Sequence, residues 1–421
     1  MILQLIKYYF FVCAVSLAGL FSNQAVFAQQ NDLNDYLELA LENNPSLKSW
    51  QKKAEIAHKK VSQTAASFPD PELSAGYFAK PVETMNGPQE VKISVNQMFP
   101  AFGTLKNKSK EKYFKALALV DVYENNKNQL VRKLRMIWYD LYFVNKKIEN
   151  TRQNIRLLKL LEKQSLTRYE NGKTSMVSVL SFQISLREMQ EKEKSFELEK
   201  QVLISEFKKI TGTDFNETIT IPDTLIFDTK LFNTFHPDTV FKYNLGLQSI
   251  EKQIMAADYG ISFSELSGFP RVGIGIDYVF VGERENSNNS QNGEDIIMPM
   301  VKMSIPVFRK KYRLQTKQSK LLKQKLEFEK EDFKNQLMYL FEKIKADYQD
   351  ADHKEKLYNE LWNKANQALS VAKSAYEGGN GEYQEVLELQ MKLYDYRIKR
   401  IGASVNKAKQ IALIREIQDI D

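Results

Sequence analysis

Tyr169-Glu170-Asn171-Gly172-Lys173 and Val179-Leu180-Ser181-Phe182-Gln183 return as Tyr376-Glu377-Gly378-Gly379-Asn380 and Val386-Leu387-Glu388-Leu389-Gln390. The spacing is about 207 residues, and Val91-Lys92-Ile93-Ser94-Val95 likewise recurs as Val301-Lys302-Met303-Ser304-Ile305. The same short motifs, in one order and at nearly one spacing, predict a chain built from two copies of one structural unit.

Around these motifs, apolar residues step by three and four. Leu130, Leu134, Ile137, Leu141, Val144, Ile148, Ile155 and Leu158 form one such series, and Leu337, Phe341, Ile344, Tyr348 and Ala351 another. A sustained period near 3.5 predicts coiled-coil packing. An unbroken helix from about Thr104 to Tyr169 would be on the order of 100 Å long at 1.5 Å per residue. That is a span rather than part of a compact domain. Composition agrees: 27% of the 421 residues are charged, and Gly and Pro are scarce.

Upstream of each long helix the pattern changes. Helical segments at 31–66 and 237–266 stop at Phe68-Pro69-Asp70-Pro71 and Phe269-Pro270, because proline lacks an N–H and clashes with the preceding turn. Period-two alternation follows. Leu73, Ala75 and Tyr77, then Val91, Ile93 and Val95, form one face in the first half. Val272, Ile274, Ile276, Tyr278 and Phe280, then Val301, Met303 and Ile305, do so in the second. The polar connectors Lys80–Glu90 and Gly282–Asp295 read as hairpin loops. The expected organisation is therefore a first repeat over 29–212, with a β-hairpin at 72–98 and a long helical hairpin at 104–211. A crossover at 213–238 leads to a second repeat over 239–421, with a β-hairpin at 272–305 and a helical hairpin at 309–417.

Residues 1–28 read as a secretory signal: Lys7 precedes the apolar run Tyr8–Phe21, and Val26-Phe27-Ala28 supplies small residues before Gln29. The only cysteine, Cys13, sits inside that run, so no lipid, disulfide or thiolate site is expected on the mature chain. The net charge of +7 is scattered, without the basic stripe and interleaved aromatics of a nucleic-acid binder. His58, His236 and His353 lie far apart and no phosphate-binding glycine loop is present, so neither an enzyme nor a cofactor is expected.

Four amphipathic strands leave two open edges, which a bilayer does not tolerate. Several chains would have to share one barrel, and strand count alone does not choose between two, three or four. The order helix, strand hairpin, long helical hairpin, duplicated, resembles the TolC-type outer-membrane efflux proteins. The motifs that carry this are Phe68-Pro69-Asp70-Pro71-Glu72-Leu73, Gln97-Met98-Phe99-Pro100-Ala101-Phe102-Gly103 and the paired Tyr-Glu-x-Gly turns followed by Val-Leu.

The resemblance implies a mostly α fold with a small membrane β part. Four strands per chain would contribute to a trimeric 12-strand barrel in the outer membrane of a Gram-negative-type bacterium, above an α-helical tunnel in the periplasm. It implies a passive exit duct, partnered by outer-membrane lipid, a periplasmic adaptor (membrane fusion) protein and an inner-membrane pump. Tyr169, Gly172, Tyr376 and Gly379 match the tip positions that meet the adaptor. Glu385 and Glu388, three apart on one helix face where the first half has Ser178 and Ser181, match acids that ring the aperture. Such carboxylate rings attract cations and resist anions.

A periplasmic coiled-coil adaptor or structural spacer is the alternative from another class; it leaves the four strands unexplained. Heavy-metal cation export, suggested by Pro69-Asp70-Pro71-Glu72-Leu73 and by Met298, Met300 and Met303, and type I protein secretion are minor alternatives within efflux.

Overall fold

The computed structural model describes residues 33–212, 219, 221–286, 288 and 290–419. The expected signal segment, with Cys13, lies outside the described residues, as do 213–218 and 220 of the crossover.

Two helices dominate, α3 (Thr104–Glu170) and α7 (Lys310–Glu377), of 67 and 68 residues. Before each comes a helix pair and a β-hairpin. The first half has α1 (Leu33–Asn43), α2 (Pro45–Ala65), β1 (Glu72–Thr84) and β2 (Gly87–Phe99). The second has α5 (Pro237–Tyr243), α6 (Leu245–Leu266), β3 (Arg271–Val281) and β4 (Ile296–Ser304). After the long helices come α4 (Met176–Thr211) and α8 (Tyr383–Ile417). No helix among the described residues is long and apolar enough to cross a membrane.

The strands form one antiparallel sheet in the order β1-β2-β3-β4, so the two hairpins join through β2 and β3. Within the chain, β1 and β4 are its edges. The helices beneath keep the same order. α2 packs on α3, α3 on α6, and α6 on α7. Lower down, α4 packs on α3, α3 on α8, and α8 on α7. The long helices thus run the whole length, while α2 sits above α4 and α6 above α8.

The joints between these stacked helices are built alike. Asn44 caps α2 by accepting from Leu47 N at 3.1 Å, and its Nδ2 donates to Ile210 O at the end of α4 (2.9 Å). Asn244 caps α6 by accepting from Leu247 N at 3.1 Å, and its Nδ2 donates to Ile417 O at the end of α8 (3.4 Å). Both asparagines are buried, so each amide satisfies an orphan N–H of one helix and an orphan C=O of another.

Apolar residues surround these joints. Tyr36, Trp138 and Phe207 cluster at the first joint, and Phe341, Ile344 and Tyr348 at the second. The crossover packs against both: Ile219, Ile221 and Leu225 lie on the first cluster, and Phe232 stacks on Tyr348 at 4.0 Å between centroids.

Two expectations are corrected here. The helices expected at 31–66 and 237–266 are each broken in two, at Asn44 and Asn244, because those residues cap a new helix instead of continuing the old one. The loop expected at Lys80–Glu90 is mostly strand: Thr84 pairs with Gly87 and only Met85 and Asn86 turn. Backbone pairing is indifferent to polar side chains that face water, so polarity marked the outer end of the hairpin and not its loop. A register shift between Tyr77 and Val82 absorbs Pro81, which cannot donate to the ladder. The second loop, 282–295, lies between β3 and β4 as expected.

Candidate functional site

The sheet has two unlike faces. Cross-strand register places Ala75, Ile93, Tyr278 and Ile297 in one row, and Leu73, Val95, Ile276 and Pro299 in the next. All eight are exposed, up to 74% for Leu73, and Val301 in a neighbouring row is 77% exposed, so the single chain turns a broad apolar face outward. The opposite face carries Ser74, Gly76, Lys92, Ser94, Asn96, Gly273, Gly275 and Asp277. Asp277 is buried and ion-paired with Lys92 across the strand. At Gly275 a Cβ would collide with Asn96 Oδ1 and come within 3.2 Å of Val95 O, so this face needs glycine for close strand packing.

The register also sorts the methionines. Met303 belongs to the apolar face, while Met298 and Met300 pair with Asp277 and Gly275 on the other. No group of metal-ligating His, Cys, Asp or Glu side chains forms among the described residues.

At the far end of the long helices lie the two predicted turns. Asn171 N, Gly172 N and Lys173 N donate to Thr167 O, Tyr169 O and Arg168 O. Gly378 N, Gly379 N and Asn380 N donate to Ser374 O, Tyr376 O and Ala375 O in the same pattern. Gly172 (φ 67°) and Gly379 (φ 91°) hold the left-handed positions. The second turn therefore has the geometry of the first; its additional glycine Gly381 lies where a Cβ would sit 2.5 Å from Tyr376 N. At the start of α4 the hydroxyls of Thr174 and Ser175 turn to Ser178 Oγ at 2.8 and 3.3 Å, and Ser175 at the N-cap position accepts no backbone N–H.

The two tip tyrosines are not equivalent. Tyr169 is 43% exposed, whereas Tyr376 is buried beneath Arg168. The guanidinium lies 4.5 Å from the ring centroid, and its Nη1 donates to Tyr376 O at 2.8 Å. Tyr376 thus ties the two helical hairpins together, and Tyr169 offers its side chain outward. Sequence alone could not separate them, since the difference lies in which hairpin faces the other.

Above the tips, further polar links join α3 to α8. Gln390 Nε2 donates to Asn154 Oδ1 (2.7 Å, both buried), Thr151 Oγ1 meets Tyr394 Oη (2.9 Å), and Arg397 Nη1 donates to Gln153 Oε1 (2.8 Å). Burial raises the Tyr394 phenol pKa, with the Thr151 hydrogen bond working the other way. Sequence reasoning missed these links. Their signal was a row of polar residues on a helix face otherwise packed with Ile155, Leu158 and Val386.

Glu385 and Glu388 are both exposed at the start of α8. Glu385 lies in the first turn, where the helix dipole favours a carboxylate, and Glu388 pairs with Lys392 at 2.6 Å.

No protein-family model matches the sequence, and no curated protein matches it. Solved structures do. The outer-membrane channel OprN matches with a TM-score of 0.76 at 14% identity, over 93% of this chain and 91% of that one. The outer membrane protein VceC from Vibrio cholerae matches at 0.75 and 14%, over 92% and 96%. The Campylobacter jejuni CmeC outer membrane channel matches at 0.73 and 14%, over 92% and 85%. The fold is that of these outer-membrane channels. It extends through nearly the whole of each chain.

Proposed function

We propose that this chain is one subunit of an outer-membrane channel, a passive exit duct of a tripartite efflux or secretion system in a Gram-negative-type bacterium. The observation that carries the reading is the four-stranded sheet: its apolar face is exposed and its edges β1 and β4 are open, at the head of two helices each about 100 Å long. Every unpaired backbone group would cost several kcal/mol in lipid, so the sheet is complete only when shared. Three copies give a twelve-strand barrel, which we take as the assembly, with the helices forming a tunnel in the periplasm.

In this reading residues 29–212 and 239–421 are two repeats joined by a crossover at 213–238, and 1–28 direct export. The tip turns around Tyr169, Gly172 and Gly379, with Tyr376 locking the hairpins behind them, meet a periplasmic adaptor. Glu385 and Glu388 form two carboxylate rings at the aperture. An inner-membrane pump supplies the energy, and no covalent step occurs in the channel. Opening splays the hairpins, which slide without unfolding because each stays a coiled coil.

The test is membrane fractionation followed by electrophoresis without boiling. A protein in the outer-membrane fraction that runs as a heat-labile trimer supports the reading; a water-soluble monomer overturns it.

A further inference from the structure

The starts of α3 and α7 are built against their own electrostatics. Helix N-termini favour acids and disfavour cations. Neither long helix has an acid in its first turn, and neither has a side-chain cap, in contrast to α2 and α6 with their asparagines. Instead Lys106, Lys108 and Lys110 crowd the start of α3, and Arg309, Lys310, Lys311, Arg313 and Lys317 that of α7. Residues 309–325 contain no acid at all.

Some of these cations are used internally. Lys110 donates to Tyr259 Oη (3.3 Å), and Lys108 sits 5.9 Å from the Phe263 ring. Lys106, Lys310, Lys311 and Lys317 are exposed and have no carboxylate partner among the described residues, although Lys311 lies 6.0 Å from the ring of Tyr312.

Both clusters lie at one end of the sheet, against the C-terminal turn of α6. Phe99 at the end of β2 pairs with Val272, and Arg271 at the start of β3 pairs with Ser304 at the end of β4. Arg309, Lys310 and Arg313 line a 510 Å³ groove with Glu265 and Phe269, while Gly103 approaches Leu266. Between the apolar sheet face and the cations stand exposed aromatics: Phe102, Phe269 and Phe308, the last 88% exposed.

Apolar face, aromatic rim, then unpaired cations is the order of a bilayer surface from its core outward. We infer that this collar binds the anionic phospholipid headgroups of the leaflet that faces the long helices. The inference rests on the membrane reading of the sheet. A second copy of this chain is a poor occupant, since it would bring the same cations to the same level. The charge complement of a basic collar next to an apolar belt is a phosphate-bearing lipid surface, whose oxygens also suit the uncapped helix amides. The cost of the unpaired cations at two helix starts is then offset at the membrane surface.

The experiment uses the full chain reconstituted in vesicles of equal parts phosphatidylglycerol and phosphatidylcholine. The lipid that co-purifies after detergent extraction is quantified. Phosphatidylglycerol should be enriched, and the variant with Lys106→Gln, Lys310→Gln, Lys311→Gln and Lys317→Gln should lose on the order of fivefold or more of that enrichment, each juxtamembrane cation being worth about that factor. A control with Lys159→Gln, Lys163→Gln, Lys173→Gln and Lys194→Gln, of equal charge but distant from the sheet, should keep it. Equal recovery of both lipids by the unaltered protein, or equal loss in variant and control, overturns the inference. So does a collar variant that enters vesicles but no longer forms the heat-labile oligomer, because the patch is then a subunit contact. Failure of the unaltered protein to enter vesicles of either lipid overturns the membrane reading itself, a distinguishable result.

Discussion

Gln390→Leu tests whether the polar links between α3 and α8 hold the tip shut. Gln390 and Asn154 are 5% and 2% exposed, and the 2.7 Å bond between them joins the two helical hairpins. Leucine keeps most of the volume but removes the donor. Asn154 Oδ1 is then buried without a partner, at a cost of about 1–3 kcal/mol. Asn154 Nδ2 cannot compensate, since it is itself a donor, directed at Met391 Sδ at 3.8 Å. If opening draws α8 away from α3, water reaches Asn154 in the open state and the penalty falls on the closed state alone. In the proposed trimer, three copies then shift the equilibrium toward open by roughly 3–9 kcal/mol, at least about a hundredfold.

Single-channel recording in planar bilayers reads this as a rise in open probability. The double variant Gln390→Leu with Asn154→Leu removes both partners and leaves nothing unsatisfied, so it should return toward the parent, less the bond itself at about 1 kcal/mol per copy. A single variant that is less stable to heat but gates like the parent would refute the argument, because the link would then survive opening. Equal gating in the single and double variants would refute it too.

Other expectations follow from the same structure. Glu385→Ala with Glu388→Ala should raise conductance or lower cation preference in planar bilayers; unchanged selectivity removes these residues from the aperture. Gly275→Val should abolish the heat-labile trimer on unboiled gels while leaving helical circular dichroism largely intact, because the clash lies in the sheet. Asn44→Ala and Asn244→Ala each lose a helix cap and a tether, and each should lower stability by about 1–3 kcal/mol in denaturant melts, with similar losses at the two joints. Asp352 accepts hydrogen bonds from Lys356 and Lys407, which hold its carboxyl pKa below the usual 3.8. A depressed acid stabilises the fold above its unfolded value and loses that contribution as pH falls through the folded one. Asp352→Asn should therefore lower thermal stability at pH 7 and have progressively less effect below about pH 4.

How much of this was legible in the sequence differs by element. The long helices were plain because their apolar positions repeat for many turns, and a period that long has one packing solution. Leu134, Ile137, Leu141 and Val144, read from spacing, are all buried. The breaks at Asn44 and Asn244 were missed although Asn44-Pro45 is a cap followed by proline; a helical period running through them masked the local chemistry. Lys80–Glu90 misled because polarity reports exposure to water and not the absence of backbone pairing. The turns at Gly172 and Gly379 were legible in the repeated Tyr-Glu-x-Gly motif, whereas the burial of Tyr376 and the exposure of Tyr169 were not, because similar local sequences met different neighbours.

Periodicity, proline breaks and the duplicated turns determined from the chain alone that two long helical hairpins hang from two strand hairpins, since each of those signals acts within a few residues. The tertiary structure decided the rest. It set the strand order that joins β2 to β3, stacked α4 beneath α2 and α8 beneath α6, buried Asn154 against Gln390, and brought two separate lysine runs to one collar. Those bring together residues some 166 to 236 positions apart, and no local pattern encodes which distant surface a helix face will meet.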